Sequence, residues 1–531
     1  MGTLARVRIY PRDGGGRLED RRGGGVCLRA AVLGVVAWTM LAAGCLVAGE
    51  QRPAGGGALD GVRHRVVVST DVGGTDPDDF QSLVYLLVYL DVLDLEGLIS
   101  SPYGPGRKDH LLEVIEAYER DYPRLRSWSE RYPAPEALRA LAKQGATEPA
   151  PYTRYRSSTE GSEWIVHCAR RADPRPLHVL VWGGLEDLAQ ALHDAPDILP
   201  RLRVYFIGGP NKKWSPDAYQ YLVSHHPELW FIEANATYRG WFTGGNQSDP
   251  WGNDSFPRRY VAGHGALGEL FMRKLPTLKM GDAPSVGWLL RGNPEEPWRP
   301  GWGGRFVRAW RRPHLQLDRL PTEADRLEVF GILELALKVD EGDKAAAETT
   351  LHVENQALRF TLLDDGTLRV RFSPKAVGVY RFVVESRSRN WDGRTGALTV
   401  VPAGPDAARQ PDPRLPHWWT DDPAPEWAEG GHAGARTVSR WREDYLRDFA
   451  DRMRRCRMRA PRARGRAQRS SPRGRRRGPD PCGAGTVAPG NCRPGRPLTT
   501  RAISGRERAG PATGSLPNSM NREKRNREKR Q

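Results

Sequence analysis

Apolar runs alternate with helical patterns between Val62 and about Trp288. In order they are R-V-V-V-S-T, a Leu/Val/Tyr helix, L-E-G-L-I-S-S, a helix near Leu111 to Tyr118, L-H-V-L-V-W, a helix near Leu185 to Leu192, R-V-Y-F-I-G-G and L-W-F-I-E-A. Strands that alternate with helices predict an α/β fold, a mostly parallel sheet with helices on both faces. In such sheets the ligand sits at the carboxyl ends of the strands. A Trp/Pro/Gly-rich segment from Asn293 to Pro313 leads into short strands that end near Val401. Asp365-Gly366 is a hairpin signal there and G-V-Y-R-F-V-V-E-S the clearest strand, so a small all-β sandwich is expected. After a Pro/Asp linker, Val438, Trp441, Tyr445, Phe449 and Met453 recur at helical spacing, which predicts a closing helix packed on the body through one face. The division expected is 1–61 signal or anchor and linker, 62–313 α/β domain, 314–402 β-sandwich-like domain, 403–456 linker and closing helix, and 457–531 tail.

Charge changes this picture only at the end of the chain. The 531 residues carry a formal net charge of +17, and 21 of the 81 basic residues lie from Arg457 onward against four acids there, so the body is neutral. Nucleic-acid recognition needs basic residues gathered on a folded face, and the body has no such excess. The tail is rich in Arg, Gly, Pro and Ser, cannot bury a core and is expected to be disordered. At the other end, Ala30 to Ala48 is uncharged and follows Arg21, Arg22 and Arg29, the pattern of an export signal. L-A-A-G-C at Leu41 to Cys45 resembles a lipoprotein cleavage site, and a span needs about 20 apolar residues, so cleaved, lipidated and retained forms all stay open. The expected location is outside the cytoplasm: secreted, periplasmic or lipid-anchored, with no other tight membrane association. Cys27 and Cys45 fall in the signal, Cys456, Cys482 and Cys492 at or in the tail, and only Cys168 in the core, so neither a structural disulfide nor a zinc site is expected. Nothing in the pattern sets the oligomeric state.

The chemistry concentrates in S-T-D-V-G-G-T-D-P-D-D-F-Q-S-L-V, where Asp71, Asp76, Asp78 and Asp79 follow an apolar strand directly. Helix capping accounts for part of it: Asp76 as N-cap, Pro77 at the first helical position and two acids in the first turn. Capping leaves Asp71 unexplained, at the strand end across a double-Gly turn. Carboxylates that converge repel unless a cation joins them, and a hard ion such as Ca²⁺ takes six to eight oxygens. A metal site and a capped helix are both open on spacing alone.

These residues resemble the nucleoside hydrolases, whose first strand ends in Asp-x-Gly followed closely by an Asp-Asp pair that opens a helix. More closely, the chain is similar to the nucleoside-hydrolase-like domain of secreted proteins described as cellulose-binding, with T-D-x-G-G-(T)-D-P-D-D before a Leu-rich helix as the signature. The likeness covers about Arg65 to Trp302 and extends weakly through the β unit to P-H-W-W-T-D-D and the closing helix. It implies one bound Ca²⁺ held by Asp71, Asp79, the Trp182 carbonyl in W-G-G-L-E-D-L, and Asp282 in K-M-G-D-A-P-S. It also implies that Asp78, Glu233 and Asn235 in F-I-E-A-N-A-T, together with Asp282, orient sugar hydroxyls. Asp71 would be the catalytic base, activating a metal-bound water for hydrolysis of an N-glycosidic bond in a nucleoside or other glycoside.

The chain departs from the family at four places. Ser69 stands where an Asp usually precedes the first ligand, the Asp71–Asp79 loop is longer, and S-S-P-Y-G-P-G offers no counterpart of a family Asn. Gly281 stands where many relatives carry a His that protonates the departing base. His225, His226 and His264 are the candidate replacements, and Tyr103, Trp214, Tyr219, Tyr238 and Trp241 the candidates to stack on a ring, with core packing the plainer reading of each. The missing His keeps a second function open: a non-catalytic module that holds cellulose or another polysaccharide.

Overall fold

The computed structural model describes residues 63–74, 76–101, 104–151, 157–404 and 406–460, all within one compact unit. The export signal with Cys27 and Cys45, Tyr103, and the basic tail with Cys482 and Cys492 lie outside the described residues. Strand β1, His64–Thr70, is buried along almost its whole length. Its valines alternate between faces: Val66 and Val68 join one core and Val67 the other. A strand covered on both sides reads as a continuous apolar run, as R-V-V-V-S-T does.

Around β1 stand β2 (Leu93–Ser100), β3 (Ala142–Gln144), β4 (Leu177–Trp182), β5 (Leu202–Ile207), β6 (Phe231–Ala234) and β7 (Phe306–Arg308). The eight-stranded sheet runs β3-β2-β1-β4-β5-β6, then strand Trp418–Asp421, then β7, and only β7 is antiparallel. The chain winds outward from β1 to β2 and β3, then returns to the other side of β1 with β4. That reversal opens a crevice between the carboxyl ends of β1 and β4.

Residues 314–401 form two further sheets of four and five strands around their own core of Leu333, Leu335, Leu351, Phe372, Phe382 and Leu398. The Asp365-Gly366 turn joins antiparallel strands, and Gly366 takes φ +70°. The closing helix, Arg442–Arg457, buries Tyr445, Phe449 and Met453, and Tyr445 stacks on Trp241 at 3.8 Å. The segment 403–456 is more than linker and helix. Trp418–Asp421 inserts between β6 and β7, with Trp418 fully buried 4.4 Å from Phe231. A strand of four residues is too short to show a period, and its stability comes from partners far away in sequence. Cys168 and Cys456 are free and buried. Among the described residues no helix is long and apolar enough to cross a membrane.

Candidate functional site

Thr70, the last residue of β1, pairs with Ser100 on β2 and Trp182 on β4, so Asp71 leaves the sheet at the crevice. The backbone there is tightly fitted. A Cβ on Gly183 would press on the Ser101 hydroxyl and stand 2.9 Å from the Asp71 nitrogen, so the chain after β4 can pass Asp71 only as glycine. Gly73 turns the chain with φ +84°, and helix α1, Asp78–Leu87, begins with Asp78 and Asp79 in its first turn. Asp76 reaches the Asp78 nitrogen at 3.4 Å, so capping accounts for Asp76 in part.

The crevice gathers buried acids. Asp78, Asp79 and Asp282 each offer an oxygen within 4.8 Å of the other two. The Thr70 hydroxyl donates to Asp79, and Asp71 is hydrogen-bonded to Asp79. Asp282 precedes the helix Ala283–Arg291 but makes no side-chain cap bond, and its Oδ2 is buried without a partner. Desolvation, reinforced by the neighbouring carboxylates, holds the Asp71 and Asp282 carboxyls well above the usual range. Burial likewise raises Asp78 to about 8 against the opposing pull of Lys279, and Asp79 to about 6 against its hydrogen bonds from Thr70 and Asp71. An all-oxygen set with one orphaned carboxylate oxygen fits a hard divalent cation, which would relieve both the repulsion and the missing bond.

This arrangement predicts a pH signature. The unfolded carboxyls titrate near pH 3.9 and the folded Asp79 and Asp78 near 6 and 8, so the folded chain holds more protons in between. In chelator, the melting temperature is expected to fall as pH rises from about 4 to about 8, and calcium is expected to flatten that slope. Thermal melts across pH with and without calcium check both.

The other expected residues are distributed unevenly. The Trp182 carbonyl accepts from Asn211 Nδ2 at 3.0 Å, and the Trp182 indole donates to Ser285, whose hydroxyl donates to the Asp282 carbonyl. Asn235 follows β6 fully buried, with both amide atoms unpartnered and Gly208 against its Oδ1. Glu233, expected on the sugar, has its carboxylate held by protein groups. Lys212 Nζ at 2.6 Å, Tyr219 at 2.9 Å and Arg312 Nε at 2.7 Å all donate to its carboxylate. Burial opposes its charge, but Arg312 and Lys212 hold the carboxyl down to about 2. Asp78 stands among the gathered carboxylates, where the resemblance put it on the sugar and put Asp71 on the ion.

Tyr219 serves Glu233, Trp241 is core, and Trp214 lies under the Lys213 ammonium at 4.7 Å. Among the described members of that group Tyr238 borders the crevice, 3.7 Å from where a Cβ on Gly281 would stand. His225 stacks on Tyr221 at 4.3 Å, and His225 and His226 precede β6, at the amino end of the sheet. His264 bonds the Ala262 carbonyl at 3.1 Å.

Three residues escaped the sequence reading. Lys279 pairs with Asp76 and lies 3.2 Å from Asp78, on a loop pinned where Gln81 accepts from the Lys279 and Met280 nitrogens. Met280 there takes φ +47°, a strained conformation for a residue with a side chain. His110 packs its ring on Gly73 beside the acid turn. Thr70 fixes Asp79, and its place at the end of an apolar strand was its only local signal.

Comparison with known proteins agrees with the resemblance. Residues 65–306 match the family described as "Cellulose-binding Sde182, nucleoside hydrolase-like domain". Among solved structures, a nucleoside hydrolase-related protein of Saccharophagus degradans, described as associated with carbohydrate metabolism, is 19% identical, covering 64% of this chain and 100% of that one with a TM-score of 0.40. An inosine-guanosine nucleoside hydrolase is 14% identical over 47% of this chain and 84% of that one, TM-score 0.32. A purine-preferring ribonucleoside hydrolase of Gardnerella vaginalis is 13% identical over 73% and 99%, TM-score 0.33. No curated protein matches the chain.

Proposed function

We propose, from the premise that residues 65–306 form a nucleoside-hydrolase-like domain of the cellulose-binding family, that this chain is an exported, calcium-dependent hydrolase of N-glycosidic bonds. The observation that carries this reading is the convergence of buried Asp78, Asp79 and Asp282 at the sheet's crevice, with one carboxylate oxygen left unpartnered. These three would hold the ion, with the Trp182 carbonyl and Asp71 beside them. When bound, calcium would supply a Lewis acid that lowers the pKa of water.

Asp71 sits just past the end of β1 rather than on α1, where its carboxylate, ionised once the cation is bound, would act as the general base that takes the proton of the attacking water. Asn235, with both amide atoms free, binds sugar hydroxyls and fixes the anomeric carbon against that water. The water oxygen bonds the anomeric carbon as the C–N bond breaks, and the departing nitrogen group leaves with the C–N electron pair and takes a proton from solvent, which releases free sugar. Asp71→Ala is expected to lower the rate of sugar release about 10²–10⁴-fold while the protein still melts at a higher temperature in calcium. A variant that releases sugar at the wild-type rate would remove Asp71 from this role.

One observation favours a second reading, a polysaccharide-binding module. Gly281 leaves the departing group without the family's acid, while Trp298, 47% exposed, stands 5.4 Å from Trp419 on the surface. Retention on insoluble cellulose without sugar release would select it.

A further inference from the structure

A second cavity of about 380 Å³ lies where the α/β domain, the β sheets and the segment after Trp418–Asp421 meet. Its volume falls within the roughly 300–1,000 Å³ common for small-molecule sites. Its walls combine two kinds of surface. Trp310 and Phe330 supply aromatic rings, and Val329, Val377 and Pro402 continue the apolar wall. Arg239, Lys375 and His432 supply nitrogen donors, and none of the three has a carboxylate partner among the described residues.

The remaining charges of the cavity are already used. Arg312 is held by Glu233 at 2.7 Å, Glu328 at 3.3 Å and the Thr420 hydroxyl at 2.5 Å. Asp421, the one acid of the lining, accepts from the Ala236 and Thr237 nitrogens at 3.0 and 2.9 Å. What is left over is the positive charge of Arg239 and Lys375, while burial and then Arg239 lower the pKa of His432. Lys375 also presses on Lys213, whose pKa is lowered first by desolvation and then by that neighbour. Phe330, on this wall, takes φ +66°, a strained backbone conformation for a bulky residue. Unpaired cations that share a concave site with aromatic rings recognise an anionic group carried on a ring with an apolar face.

We propose that this cavity is a binding site for an acidic sugar, a pyranose bearing a carboxylate or a phosphate. Arg239 and Lys375 hold the anion, and Phe330 with Val329 and Val377 packs on the sugar ring. The site is separate from the carboxylate cluster and stands whether or not that cluster hydrolyses anything.

Isothermal titration calorimetry of the full chain with glucuronate, glucose 6-phosphate and glucose tests it. Saturable binding of one or both anionic sugars is expected, with affinity at least tenfold weaker in Arg239→Ala and in Lys375→Ala, no saturation by glucose, and unchanged binding in Asp71→Ala. The preferred anion tells carboxylate from phosphate. Binding of neither anion, equal affinity for glucose, or wild-type affinity in both cavity variants with native circular dichroism would overturn the proposal.

Discussion

Asp282→Asn is expected to abolish the thermal stabilisation that calcium gives the wild-type protein, and to make the calcium-free protein more stable at pH 8. Both effects follow from one buried group. Asp282 is 5% exposed, its Oδ2 has no partner, and desolvation and then Asp79, Asp78 and Asp71 raise its carboxyl well above the usual range. Without an ion its charge is a cost, which an amide removes. With an ion at one hundred times its dissociation constant, binding contributes about 2.7 kcal/mol to the folded state, or a rise in melting temperature of about 5 °C. The amide forfeits most of that gain. Helix capping predicts neither result, since Asn and Asp cap equally well and Asp282 makes no cap bond. Melting curves in chelator and in calcium should therefore cross: variant above wild type without the ion, below it with the ion. Parallel curves would leave Asp282 with a structural role only.

Glu233→Ala is expected to destabilise the fold by about 3–5 kcal/mol, the usual result of stripping one partner from a buried ion pair. Lys212 has a fully buried side chain and Arg312 one that is 9% exposed, and both lose their shared carboxylate. Burial draws Lys212 down to about 8 even with Glu233 opposing that shift, so removing the carboxylate lowers it further and the variant should lose stability most below pH 8, where the wild-type ammonium is charged and paired. Chemical denaturation of the variant at pH 6 and pH 9 measures both the loss and its pH dependence. A residue that served the sugar would give a different outcome: unchanged stability with a raised KM.

The contrast between these two acids shows what was legible in the sequence. Asp71, Asp78 and Asp79 lie within nine positions after an apolar strand, so their convergence is a local consequence of one strand, one turn and one helix. The triple-valine run of β1 was equally plain, because a strand buried on both faces needs no alternation. Glu233 lies on the strand that its apolar run predicts, but its partners do not show in the local sequence, since Lys212, Tyr219 and Arg312 reach it from three other segments. Strand Trp418–Asp421 was missed for the same reason: β6 and β7, which it joins, are more than a hundred residues away. Lys279 reached the acid turn through a loop that Gln81 fixes by tertiary bonds alone. Local chemistry could be read from spacing, and charge partners brought in by the fold could not.

The most direct measurement is release of free sugar from a panel of nucleosides and other N- and O-glycosides, followed in chelator, in restored calcium, and with Asp71→Ala in parallel. Release from an N-glycoside that stops in chelator, returns with calcium and is lost in the variant is the expected result. Calcium bound at the carboxylate cluster with no sugar released from any compound would contradict the hydrolase and leave the polysaccharide-binding reading in its place.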